Sequence, residues 1–261
     1  MTEYELFAVE LAREAARVSL PYFRGACEQE DKGGSAGFDP VTQADREAEA
    51  AIRRLIADRY PAHGVIGEEY GEDRPDAEHV WVLDPIDGTR AFIAGLPLWT
   101  NLIALRTEGR PAVGVIGQPY LDEIFLGGPS GARLLQGGGE TPLRARPCAS
   151  LSEALIATTD PNLFTGAELG AWTQVRAAAR LARLGCDAYA YAMLAAGRID
   201  LVAESALKVW DWSALVPVIE AAGGEVTNWR GGTPDHSGQI LAVGDARLRD
   251  QALVALRRAA L

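Results

Sequence analysis

The sequence predicts an α/β fold arranged as two lobes, residues 1–147 and 148–261. Three observations carry that prediction. Between Trp99 and Leu135 a series of short β-rich runs is separated only by turns, the pattern of a mixed or antiparallel sheet. Beyond Pro147, strand-like and helix-like runs alternate, as in a layered α/β lobe. The length of 261 residues is enough for two lobes fused through a common interface.

Taken in order, Glu5 to Phe23 reads as a helix with an apolar stripe at Phe7, Leu11, Ala15, Val18 and Tyr22, ended or kinked by Pro21. Glu28 to Asp39 is polar and Gly-rich. It is either a surface linker or a lid over a site, with Lys32 as its charged tip. Arg46 to Tyr60 is a second helix, stopped by Pro61, with Asp45 at its start, where capping alone would explain an Asp. Val65-Ile66 is a brief strand that Gly67 releases into Glu68-Glu69. Val80 to Leu83 is a buried strand, and Asp84-Pro85-Ile86-Asp87-Gly88-Thr89 follows it directly, where pairing should stop and the chain turn. The meander runs through Trp99–Leu105, Ala112–Gly117, Glu123–Leu126 and Ala132–Leu135. Gly137-Gly138-Gly139 is a tight turn without the strand-loop-helix setting of a nucleotide site.

The second lobe opens near Pro147 to Ser152. Its expected elements are a strand at Ala154–Thr158, a helix over Phe164–Ala178 and a short strand at Ala182–Leu184. Gly185-Cys186-Asp187 then opens a helix whose inward residues, Ala188, Ala192, Ala195 and Ala196, are small. A strand at Ile199–Ala203, a helix at Trp212–Ala222, strands at Glu225–Asn228 and Ile240–Val243 and a closing helix at Leu248–Leu261 complete it.

A formal charge of −11 argues against nucleic acid, which requires a basic stripe. No run approaches the roughly 18 apolar residues of a membrane span, and the acidic start lacks the pattern of a signal peptide. Cys27, Cys148 and Cys186 are odd in number and scattered, as expected of reduced thiols in a cytoplasmic protein. His63, His79 and His236 are far apart, so an imidazole zinc site is not expected. The abundant ligands are oxygens, which suit Mg²⁺ or Mn²⁺.

Glu68, Asp84, Asp87 and Asp211 share a syntax: an apolar run ends and a carboxylate follows. Half-buried acids at strand ends are costly unless paired or metal-bound, and together they indicate a divalent-metal cluster. Ions held there favour transfer of a phosphoryl group to water, and let an acidic protein bind a phosphate. Thr89 can pass its proton toward an acid while orienting the attacking water, and Asp45 is the candidate acid. No Gly-x-Ser-x-Gly elbow or P-loop offers a rival, and neither Cys148 nor Cys186 has a neighbouring His.

These motifs resemble those of the inositol-monophosphatase-like metal-dependent phosphatases. Val41-Thr42-Gln43-Ala44-Asp45, Gly67-Glu68-Glu69, Asp84-Pro85-Ile86-Asp87-Gly88-Thr89, Trp210-Asp211 and Ala222-Gly223-Gly224 occur in the family's order across essentially the whole chain. The resemblance implies a layered α-β-α-β-α sandwich, dimerisation and two or three Mg²⁺ ions, with Mn²⁺ as a substitute. It implies metal ligation by Glu68, Asp84, Asp87, Asp211 and the Ile86 carbonyl. Asp45 and Thr89 become the water-activating pair, with Glu68 beside them, and the Gly88 and Thr89 amides hold phosphate. Glu69 is an outer-shell group, Lys32 aligns only loosely, and residue 90 is Arg where many relatives have Thr or Ala.

Within the family the chain is most similar to the histidinol-phosphate phosphatases, through Leu184 to Tyr191, Asp200 to Glu204 and Leu207 to Asp211. Asp187 and Glu204 could accept hydrogen bonds from the ammonium and imidazole of histidinol phosphate, and Arg183 could pair with a substrate anion or with Asp187. The expected activity is therefore hydrolysis of L-histidinol phosphate. The alternatives are an inositol monophosphatase or broad small-phosphomonoester phosphatase, and a metal-binding protein without catalysis.

Overall fold

The computed structural model describes residues 1–25, 29–31 and 40–261. Lys32 lies outside the described residues, as does most of the segment expected as a linker or lid. Helix α1 (Glu3–Ser19) begins two residues before its apolar stripe predicts. The reason is a reciprocal cap: Thr2 accepts from the Glu5 amide at 3.3 Å, and Glu5 accepts from the Thr2 amide at 2.5 Å. Strands β1 (Gln29–Asp31) and β2 (Pro40–Thr42) form an antiparallel pair, and α2 (Gln43–Arg59) follows.

The first large sheet comprises β3 (Gly64–Gly67), β4 (Gly71–Asp73) and β5 (His79–Asp87), then, after the short helix α3 (Thr89–Ile93), β6 (Thr100–Thr107), β7 (Arg110–Gln118), β8 (Glu123–Gly127), β9 (Arg133–Gln136) and β10 (Gly139–Pro142). Its spatial order is β10-β9-β8-β7-β6-β5-β3-β4, antiparallel except for the parallel β3–β5 pair. The meander therefore forms as predicted, whereas the exposed edge strand β4 carries no apolar signal to announce it.

The rest of the chain supplies β11 (Leu155–Thr158), α4 (Ala167–Ala178), β12 (Leu181–Leu184), α5 (Tyr189–Ala195), β13 (Leu201–Glu204), α6 (Val209–Trp212), α7 (Leu215–Ala221), β14 (Glu225–Asn228), β15 (Ile240–Val243) and α8 (Ala246–Leu256). The second sheet has the order β12-β11-β13-β15-β14, with parallel pairs around β11 and antiparallel pairs around β15. The helix expected over Trp212–Ala222 is two helices, and Trp210 to Trp212 already belong to the first.

Three apolar clusters reveal the layers. One packs α1 and α2 against one face of the first sheet through Phe7, Leu11, Ile52, Ile56, Trp81, Leu83 and Leu105. A second joins the opposite face, through Val82, Leu102 and Ile116, to α5, α7 and the inner face of the second sheet. The third packs α4 and α8 on the outer face of that sheet through Trp172, Val175, Leu248 and Leu256. The result is an α-β-α-β-α sandwich in which α5 and α7 are the filling. The small residues of α5, Ala190, Ala192 and Ala195, are buried and allow this close approach.

The chain crosses between sheets over residues 143–154. Buried Asp200 anchors that crossing, accepting from Arg146 Nε and Nη2 at 2.6 Å each and from the Leu155 amide at 2.7 Å. Among the described residues no helix is long and apolar enough to cross a membrane.

Candidate active site

In a regular strand, residues three apart point to opposite faces. Asp84 and Asp87 escape this because β5 does not end at Leu83. It continues to Asp87, and its register against β6 moves from Asp84↔Leu102 to Asp87↔Thr100, three steps on one strand against two on the other. This is a β-bulge, which bends the strand and re-aims its side chains. Pro85 tolerates it because an unpaired bulge residue needs no amide proton, and the Asp84 side chain takes the Ile86 amide at 3.1 Å. Buried Asn101, on β6, donates through Nδ2 to the Pro85 carbonyl and holds the bulge in place.

Asp211 comes from the second part of the chain, on α6, which packs against β5. Its expected position at a strand end is not what forms: it lies in the first turn of α6, where its side chain accepts from the Lys208 amide at 2.6 Å. Carboxylate oxygens of Asp84, Asp87 and Asp211 all lie within 4.8 Å of one another. Glu68, expected as a fourth member, stands outside this tight group but lines the same cleft.

Burial, and then the charges of Glu68, Asp87, Asp211 and Asp45, push Asp84 well above the usual carboxylate range. Asp87 is pushed up likewise by burial and by Asp187 and Asp211, although the Ala188 amide, donating to it at 2.7 Å, acts the other way. Buried acids that repel one another are costly as anions without a cation. The donor set is all hard oxygen, and the group could coordinate one divalent ion such as Mg²⁺ or Mn²⁺.

Asp45 is buried in the first turn of α2, accepting from the Thr42 amide at 3.0 Å and from the Thr42 hydroxyl. It is thus a helix cap, yet burial raises it to about 6, against the pull of the Thr42 bonds, and the charge of Glu69 adds to the rise. The Thr89 hydroxyl donates to the Ile86 carbonyl at 3.2 Å, so its proton is directed there rather than to Asp45. Gly88 precedes α3 with φ +81°, a conformation that glycine adopts without cost.

A cleft of about 350 Å³ opens beside the cluster, lined by Glu68, Asp87, Gly88, Thr89 and Arg90 from the first part of the chain and by Asp187, Tyr191, Glu204, Lys208 and Asp211 from the second. Asp187 has φ +44°, and its carboxylate packs on Gly88, where an added Cβ would come within 3.1 Å of Asp187 Cγ. Burial raises Asp187 to about 6, and the positive charge of Arg90 opposes the rise. Glu204 accepts from the Thr159 amide at 2.6 Å and the Thr158 hydroxyl at 3.1 Å, but burial prevails and raises it to about 8.

The cleft also corrects one expectation. Arg183 lies exposed on edge strand β12 and is not part of the wall; Arg90 is the arginine whose charge acts on Asp187. Position alone could have flagged Arg90 and Lys208, which adjoin the two acidic motifs. Thr158 and Thr159 carry no local signal, because only sheet pairing brings them to Glu204.

Glu204 makes a stability prediction. Its proton is held more tightly in the folded chain, at about 8, than at its ordinary 4.5. The corresponding stabilisation is complete below the ordinary value and is lost as pH rises through the folded one. In chelator-treated protein the melting temperature should therefore contain a decline from pH about 5 to about 8 that Glu204→Gln removes. Calorimetry across that range checks it, and an unchanged slope in the variant would refute the assignment.

Comparison with known proteins accords with this geometry. The model of the inositol monophosphatase family matches residues 1–261. The bifunctional phosphatase IMPL2 of Arabidopsis thaliana is 41% identical over 98% of this chain and 76% of its own length. A histidinol-phosphatase of Chlorobaculum parvum is 34% identical over 88% of each chain. The solved structure of an inositol monophosphatase from Zymomonas mobilis superposes with a TM-score of 0.87 at 38% identity, covering 98% of this chain and 100% of that one. The converging carboxylates, the five-layer sandwich and these likenesses lead to one conclusion: the chain belongs to the inositol monophosphatase family.

Proposed function

We propose that this protein is a divalent-metal-dependent phosphomonoesterase that hydrolyses small alcohol phosphates, with inositol monophosphates as the favoured substrate class. The observation that carries the reading is the convergence of Asp84, Asp87 and Asp211 within 4.8 Å, next to a cleft of about 350 Å³. Those three residues would hold the metal, with Glu68 alongside, the Ile86 carbonyl at the bulge and Glu69 further out. The ions would supply positive charge to the phosphate and acidify water.

The chain's own groups do the rest. Asp45, raised to about 6 by burial, can accept a proton from the attacking water near neutral pH. Thr89, which shares the cleft wall with Gly88, orients that water when its hydroxyl leaves the Ile86 carbonyl, and the Gly88 and Thr89 amides bind phosphate oxygens. Asp187 and Glu204, which also line the cleft, accept hydrogen bonds from hydroxyls of the alcohol half.

A second reading, L-histidinol phosphate, is favoured by one feature. Asp187 and Glu204 line the cleft together, where each can accept a hydrogen bond from an ammonium or imidazole, and a cation bound there would favour the ionised form of Glu204. The Chlorobaculum relative also carries the name histidinol-phosphatase. The test is phosphate release with Mg²⁺ from inositol 1-phosphate and from L-histidinol phosphate. A kcat/KM at least about tenfold higher for the inositol ester is expected. The reverse ratio would establish the second reading, and no turnover of any phosphomonoester would overturn both.

A further inference from the structure

We propose that Glu49, paired with Arg53, is the positioning residue that fixes Glu68 relative to Asp45 and Asp84; this rests on the metal-dependent reading above. Glu49 is 0% exposed, does not line the cleft and lies one helical turn after Asp45 on α2. Its carboxylate faces the turn that follows β3. Oε2 accepts from the Glu69 amide at 2.8 Å, and Oε1 accepts from the Tyr70 amide at 3.2 Å and from Arg53 Nε at 2.7 Å. Arg53 Nη2 donates onward to the Gly71 carbonyl at 2.5 Å. The i, i+4 pair therefore grips three successive residues after Glu68.

The residue before Glu68 is held by contact. A Cβ on Gly67 would lie 2.1 Å from Glu49 Oε1 and 2.8 Å from Arg53 Nη2, so a larger residue there would push the pair out of place. Glu68 itself donates its amide to the Leu83 carbonyl at 3.2 Å, one residue before Asp84. Its backbone is thereby tied to α2 on both flanks and to β5 in the middle. Asp45 rides on the same helix as the clamp, so α2 acts as a rigid spacer between the proton acceptor and the metal-side carboxylate. The glycine of the Gly67-Glu68-Glu69 motif is explained by a buried acid eighteen residues upstream.

Glu49→Gln tests this. A carboxylate offers acceptors to both amides, whereas a glutamine turns its NH₂ against one of them. Mn²⁺ affinity, read by calorimetry without ester, should fall about tenfold, and the Mg²⁺ concentration for half-maximal phosphate release should rise about as much. At saturating metal, KM for the ester should stay within about threefold of wild type, since no substrate contact is lost. Arg53→Met, at the more accessible end of the pair, should shift Mn²⁺ affinity in the same direction and serves if Glu49→Gln does not fold. A lowered melting temperature with unchanged Mn²⁺ affinity in the folded variants would overturn the proposal. A wild type that binds Mn²⁺ but hydrolyses nothing would overturn the functional reading alone, leaving the Mn²⁺ comparison to decide this one. A wild type that binds no Mn²⁺ would overturn both.

Discussion

Asp84→Asn should lower phosphate release on the order of a thousandfold while raising the melting temperature of the metal-free protein. The two effects share a cause. Asp84 is 2% exposed and is pushed well above the ordinary carboxylate range, first by burial and then by Glu68, Asp87, Asp211 and Asp45. At neutral pH the metal-free fold must either ionise a buried acid beside other acids or keep it protonated, and both cost stability relative to the unfolded chain. An uncharged amide of the same shape removes that cost and keeps an oxygen for the Ile86 amide, which Asp84 Oδ1 accepts at 3.1 Å. It also removes the anionic oxygen that makes a cation welcome. Losing several kcal/mol of cation stabilisation amounts to about a thousandfold in rate, at 1.36 kcal/mol per factor of ten. Phosphate release and calorimetry with chelator and with Mg²⁺ check both halves. Wild type should gain stability from Mg²⁺ and the variant should gain little. A variant that is active, or less stable than metal-free wild type, would contradict this account of the cluster.

The second large effect is expected at Asp45. Asp45→Asn should cost about 10²- to 10⁴-fold in kcat, the usual contribution of a positioned acid or base, with much less change in Mg²⁺ affinity. Burial raises Asp45 to about 6, so its ionised form accumulates as pH climbs through that value. A base must be ionised to accept a proton. Wild-type kcat/KM should therefore rise with pH along an acid limb at or below about 6, and the variant should lack that limb. Asparagine still accepts the Thr42 amide bond of 3.0 Å, so the helix start should survive. If Asp45→Asn kept the wild-type pH profile, Asp45 would be a cap and nothing more.

Much of this arrangement was legible in the residues. The meander of the first sheet and the alternation of the second part follow from period and turn chemistry, which act over a few residues. The Asp84 to Thr89 motif announced a site because two carboxylates, a proline and a glycine have few other reasons to follow a buried strand. Helix and strand ends were less legible. The Thr2–Glu5 cap moved α1, and Asp211 is presented by a helical turn because its own side chain caps that turn at Lys208.

What the sequence by itself determined is the chemical inventory: hard oxygen ligands, a glycine turn and strands enough to present them. Tertiary structure alone decided which of these meet. The bulge that brings Asp84 and Asp87 to one face depends on the pairing of β5 with β6. The exchange of Arg183 for Arg90 depends on which side of β12 faces solvent, and the grip of Glu49 on the turn around Glu68 depends on α2 lying against the first sheet. The physical reason is range. Backbone preference is set by immediate neighbours, whereas a carboxylate's proton affinity and partners are set by groups within a few ångströms that the chain reaches only after folding.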